Sequence, residues 1–258
     1  AYLGGGLVAT ASGVMLAGST VSDNHVVFLG GGIGVDGDSP ANPSVVTITN
    51  STISGNSSDM SAAGMMTYGS VIAMSNSTVT ANTATNVGGI GLDESTLTLN
   101  SSIVFGNVQT APGGAGADLL GTGTSSVVLG ASAANLVGDS GLTLPADTLS
   151  SNPLLGPLAD NGGLTWTHAL GVGSPAINAG NNLLSLAEDQ RGSGFDRVVG
   201  GRADIGAFEV QGGGAPPVVS TPQLVPTTST WALGLLGTLL GFFGWRQGWF
   251  DRSARRTM

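Results

Sequence analysis

The sequence predicts an all-β chain: a right-handed parallel β-helix of about 25 residues per coil, followed by a C-terminal cap region and a short C-terminal transmembrane-like helix. Three observations carry this. A small polar phrase recurs, ending at Asn24 ("GSTVSDN"), Asn56 ("NSTISGN"), Asn82 ("NSTVTAN") and Asn107 ("NSSIVFGN"). The ends lie 32, 26 and 25 residues apart, and self-similarity at such a period marks a solenoid. Apolar residues also recur in step. Ten residues before each Asn stand Val14, Val46, Ile72 and Leu97; eight before, Leu16, Ile48, Met74 and Leu99; three before, Val21, Ile53, Val79 and Val104. Finally, a glycine–apolar pair leads each unit: Gly6-Leu7, Gly32-Ile33, Gly64-Met65 and Gly89-Ile90.

Within a unit the apolar residues alternate, then skip through Ser and Thr to the next. That is a period of two interrupted by a corner, so the elements are strands and not helices. Twenty-five residues accommodate three short strands and three corners. Coils stack at about 4.8 Å, so like residues pile on like residues. The apolar columns fill the interior. Asn24, Asn56, Asn82 and Asn107 form a structural ladder, each amide bonded to the Asn above and below, in corners where Asn tolerates left-handed backbone. The 32-residue interval holds a turn-rich insertion, "DGDSPANPS". The Asn-x-Ser/Thr triplets at Asn50, Asn56, Asn76 and Asn100 fall out of the same phrase and read as scaffold. After Asn107 the template fades. "SSVVLGASAANLVGD" (Ser125 to Asp139) still reads as strand, corner, strand, as an atypical terminal unit would. The coils thus occupy residues 1–140. They open inside a repeat with neither Met nor a signal-like run, as expected of a fragment or processed form.

Composition narrows the partners. The net charge is −9, with no Cys and no Lys, and every basic residue is Arg from Arg191 onward. The first 190 residues carry twelve acids and no base. Such a body does not neutralise phosphates, which excludes nucleic acid as a partner. The lack of Cys excludes disulfides and thiolate metal sites.

Stacking brings one group of functional candidates together. Asp36 lies three residues after Ile33, and Asp93 three after Ile90. They share a coil position two rungs, about 9.6 Å, apart, with Tyr68 between them and Asp38 and Glu94 adjacent. This is a candidate ligand or Ca²⁺ face, weighed against solvated turn carboxylates. A glycoside hydrolase needs two carboxylates roughly 5 to 9.5 Å apart, so the pair also raises a carbohydrate-active enzyme as the alternative. A lyase would need a basic group, and the coils have none. His25 and His168 have no nucleophile context. The expectation is therefore no catalytic residue, no bound metal and no cofactor, with calcium at the Asp36 face the exception to test.

Residues 152–209 read "NPLLGPLADNGGLTWTHALGVGSPAINAGNN", then "EDQRGSGFDRVVGGRADIGAFE". These phrases, with Asn152 and Asn178 where acids are usual, resemble the closing segment of bacterial β-helix surface proteins of the choice-of-anchor Q type. The resemblance implies architecture and surface location, and no common enzymatic activity. Residues 141–210 are the closing segment, in which Asp160, Asp189, Asp204 and Glu209 are expected to pair with Arg191, Arg197 and Arg202.

Residues 211–224 form a Gly/Pro-rich linker. Residues 225–258 resemble the IPTL-type C-terminal sorting signal of Gram-negative bacteria, on Val225, Pro226, Thr227, Ser229 and Trp231, with Thr228 where Leu is usual. From Trp231 to Trp245 no residue is charged, and Arg246, Arg252, Arg255 and Arg256 follow. That run of fifteen residues is short for a bilayer span of about 20, but Trp at both ends suits the interfaces, and the basic end belongs in the cytoplasm. The expectation is an exported protein at the cell surface or outside the cell, held transiently or permanently in the inner membrane through 231–245. It would be adhesin-like or structural, with sorting machinery and an extracellular polysaccharide or a host or neighbour surface as partners.

Overall fold

A computed structural model describes residues 4–112, 116–128 and 134–212. Among them every regular element is a β-strand. The first coil holds β1 (Leu7–Thr10), β2 (Gly13–Ala17), β3 (Thr20–Ser22) and β4 (His25–Val26); the second β5 (Ile33–Asp36), β6 (Ser44–Thr49), β7 (Thr52–Ser54) and β8 (Ser57–Ser58). The third holds β9 (Met65–Tyr68), β10 (Ser70–Ser75), β11 (Thr78–Thr80) and β12 (Thr83–Ala84); the fourth β13 (Ile90–Asp93), β14 (Thr96–Asn100), β15 (Ile103–Val104) and β16 (Val108–Gln109). A fifth follows with β17 (Leu119–Thr122), β18 (Ser126–Val128) and β19 (Leu136–Val137). Strands stack in parallel on their counterparts in the neighbouring coils, giving three five-stranded sheets and one of four. The described coils form a parallel β-solenoid.

The expected columns are the observed ones. Val14, Val46, Ile72 and Leu97 are partners across β2, β6, β10 and β14, as are Leu16, Ile48, Met74 and Leu99. Val21, Ile53, Val79 and Val104 pair across β3, β7, β11 and β15. Ile48, Ile53, Ile72 and Met74 are sealed inside a single apolar core. Burying each such side chain contributes about 1.5–3 kcal/mol, which lets strands of two to six residues persist.

Four features differ from the sequence expectation. Each of the first four coils has four strands, because the residues after each ladder Asn pair as well. The left-handed residue at this corner is not the ladder Asn but the one before it: Asp23, Gly55, Ala81 and Gly106 have φ between 56° and 72°. The turn swings the chain, and the next side chain then points along the stack.

The register does not decay after Asn107. In the fifth coil Leu119 pairs Ile90, Val127 pairs Leu97 and Val137 pairs Val104. Chain length between these strands varies, which hides the repeat in the sequence. Leu142 and Leu144 then pack against the end of the core.

The fourth difference is the closing segment, which is a strap along the flank more than a cap. It carries an antiparallel pair, β20 (Leu155–Ala159) and β21 (Thr167–Leu170), and otherwise irregular backbone. It lies lengthwise on the outer face of the β3–β7–β11–β15–β19 sheet. Thr165 donates to Gly18 O in the first coil, Asn50 to Glu188 O in the second, Asn76 to Asn181 O in the third, and Asn181 N–H to Ser101 Oγ in the fourth. Ala176 and Ile205 pack on Ile103 and Leu136.

Candidate functional site

Three ladders make the solenoid rigid enough to hold a site. In the Asn ladder, Asn24, Asn56 and Asn82 each present backbone N–H and Nδ2 to the Oδ1 of the next rung, at 2.9–3.2 Å. Asp118 ends the series, its Oδ1 accepting from N–H and Nδ2 of Asn107 and its Oδ2 from Asp139 N–H. Burial raises its pKa, opposed by the bonds from Asn107 and Asp139. An acid serves here because a terminus needs only acceptors.

The Asn ladder dictates the glycine that leads each unit. A Cβ on Gly32 would stand 2.9 Å from Asn56 Nδ2 and 2.7 Å from Gly64 O, so that position must be bare. Two serine ladders run beside the Asn ladder. Ser19, Ser51 and Ser77 donate N–H to the next Ser Oγ, and Ser102 donates to Asn135 Oδ1. Ser70 and Ser95 do the same at another corner.

On the outer face of the β1–β5–β9–β13–β17 sheet, Asp36 pairs Tyr68 and Tyr68 pairs Asp93. All three line a cleft of about 670 Å³. The column expected from sequence is therefore real and faces a cavity. Asp93 also accepts from Thr122 Oγ1 on the next rung, at 2.8 Å. Asp38 and Glu94 do not line this cleft. Asp38 is tied to Asn42 Nδ2 within the insertion, and Glu94 occupies a left-handed corner at φ 47°. Among the described residues no three His, Asp or Glu gather as a metal would require.

Sequence reasoning missed the rest of the lining. Phe28, Met60 and Asn86 belong to it, and each follows a ladder Asn by four residues. That spacing was the available signal. It was masked because the three side chains share no chemistry. Met66 also lines the cleft, its Sδ 2.9 Å from where a Cβ on Gly91 would be. A second opening of about 420 Å³ shares Ser61, Met66 and Asn86 with the first, so the groove continues along the stack.

The strap holds buried ionic contacts. Arg191 pairs with Asp189, NH2 to Oδ2 at 2.6 Å, and is sandwiched between Phe195 and Phe208, 4.0 and 3.9 Å from the ring centroids. Arg197 pairs with Glu209 at 2.9 Å. Burial pushes the Glu209 carboxyl up to about 7, against N–H donors from Asp204 and Val199. Burial likewise raises Asp204, opposed by the N–H groups of Val210 and Asn178. The expected pairing of Asp189 and Glu209 with arginine is present, whereas Arg202 donates to the carbonyls of Ala179 and Gly180. His168 Nδ1 faces the Gly156 carbonyl at 2.7 Å, so Nδ1 carries the proton and Nε2 accepts from Ser54 Oγ at 2.8 Å. His25 is exposed and sits 3.6 Å from Asp59.

No family model, curated protein or solved structure matches this chain. The phrases "NPLLGPLADNGG", "GSPAINAG", "DQRG" and "DIGAFE" all fall in the strap. Val225, Pro226, Thr227, Ser229, Trp231 and Arg246 lie outside the described residues, as does the run 231–245. Among the described residues no helix is long and apolar enough to cross a membrane.

Proposed function

We propose that the chain is an exported, surface-displayed right-handed parallel β-helix of the choice-of-anchor Q type, adhesin-like and non-enzymatic, sorted by an IPTL-type signal at its C-terminus. The observation that carries the binding role is the first-sheet groove. It presents Asp36, Tyr68 and Asp93 from consecutive rungs of a laddered solenoid, so its side chains need little ordering when a partner docks. The base-free coils support a partner that is not a polyanion.

A purified body incubated with a panel of neutral and acidic polysaccharides tests this. Retention of a neutral polysaccharide without turnover agrees with it, and the acidic ones are expected to pass unretained. The second reading, a carbohydrate-active enzyme, rests on the two carboxylates two rungs apart, about 9.6 Å by stacking. Turnover lost in both Asp36→Ala and Asp93→Ala would establish that reading instead.

Sorting is tested by intact mass spectrometry of protein from the native cell. A mature form lacking Trp231 to Met258 agrees with a processed signal. A retained, membrane-bound tail would make it a permanent anchor.

A further inference from the structure

The groove has a chemical asymmetry that selects among partners. One rim carries Asp36 and Asp93 on either side of Tyr68. The remaining walls are mostly apolar, formed by Phe28, Leu29, Met60 and Met66. None of the first 190 residues is Lys or Arg, so no cation of the coils neutralises the two carboxylates. An anionic ligand is repelled from such a rim. A neutral glycan can bond its hydroxyls to the carboxylates but matches the apolar walls less well than an apolar side chain does. A cation seated on the tyrosine ring gains both carboxylates and the ring face. An aliphatic side chain on each side of that cation would cover the methionines and the phenylalanine, both types being good apolar partners.

From this complementarity we propose that the groove binds an extended peptide segment of a partner protein carrying one lysine or arginine flanked by apolar side chains. The column from Asp36 to Thr122 spans three rung steps, roughly 14 Å at 4.8 Å each. That matches about four residues of extended chain at 3.3 Å per residue. This deepens the adhesin-like reading and rests on it.

The test uses fluorescently labelled pentapeptides with leucine–lysine–leucine at the centre, titrated into the full chain and followed by anisotropy. Control peptides replace the lysine by glutamine or glutamate. The lysine peptide is expected to bind about tenfold more tightly than the glutamine peptide, and the glutamate peptide to bind least. Asp36→Asn and Asp93→Asn, which keep side-chain size, should each weaken the lysine peptide several-fold and leave the glutamine peptide unchanged. Tyr68→Leu keeps apolar bulk and should also weaken the lysine peptide selectively. Circular dichroism melts of each variant separate lost binding from lost folding. Equal affinity for the lysine and glutamine peptides, or no binding of either to folded protein, overturns the proposal. The broader binding reading would survive that result if a polysaccharide is still retained without turnover, so the two failures are distinguishable.

Discussion

Asn82 is fully buried and uses all of its side chain. Its Oδ1 accepts from N–H and Nδ2 of Asn56, and its Nδ2 donates to Ile53 O, Thr80 O and Asn107 Oδ1. Truncation strands several buried polar groups at once, each costing about 1–3 kcal/mol. Asn82→Ala should therefore lose about 3 kcal/mol or more, read from denaturant unfolding.

Thr67 is the opposite case. It stands in the column between Val35 and Leu92, fully buried, with no partner for its hydroxyl among the described residues. Thr67→Val keeps the shape and removes the unpaired group, and should raise stability by about 1 kcal/mol in the same assay. His168 sets a pH dependence. Burial lowers its pKa below 6.5, with the Gly156 bond opposing. In the window below 6.5 the unfolded chain binds the proton that the folded chain refuses. Its contribution to stability is thus complete above 6.5 and lost as pH falls through the window. Glu209, Asp204 and Asp118, raised by burial, slope the other way. The stability difference between the natural chain and His168→Gln cancels their effect, and it should shrink as pH is lowered through 6.5.

At the level of elements, the strap depends on what the third sheet offers it. One outward column runs Thr20, Thr52, Thr78, Ile103 and Leu136. Its first three rungs give hydroxyls to strap groups: Thr20 to Trp166 O, Thr52 to Gln190 Oε1, and Thr78 as acceptor from Ala207 N–H. Its last two rungs are apolar and meet Ala176 and Ile205. Polar matching thus sets the strap's register along the first coils, and apolar burial holds its far half. Ile103→Thr extends the polar rungs by one and removes apolar contact, so it should cost about 1–3 kcal/mol and raise amide exchange in residues 174–207 before exchange in the coils rises.

The inward columns and the Asn ladder were legible in the sequence because both recur at fixed offsets from one marker residue. The serine ladders were passed over, since Ser51, Ser77 and Ser102 read as spacers between apolar positions. The course of the strap was not legible for a related reason. Most of its contacts with the coils join a hydroxyl or amide to backbone, and Ser, Thr and Asn leave no periodic signal that distinguishes a covered face from a wet one.

Over the whole molecule, the solenoid turns sequence spacing into lateral position. Residues 36, 68 and 93 are separated by 32 and 25 in sequence and still become neighbours, because the insertion after Asp36 is looped out between β5 and β6. The groove column was therefore readable from the repeat, while its apolar wall and its depth depended on turns after β4, β8 and β12 whose side chains do not repeat. The groove depends on this register, since a slip of one residue would turn Asp36, Tyr68 and Asp93 inward. The direct measurement is a nuclear Overhauser spectrum of isotopically labelled protein, read at the backbone of Tyr68. Cross-rung contacts from Tyr68 to both Asp36 and Asp93, with Thr67 contacting Val35 and Leu92, are the predicted result. Contacts from Tyr68 to Gly37 or Glu94 as its rung partners would contradict the register and the groove with it.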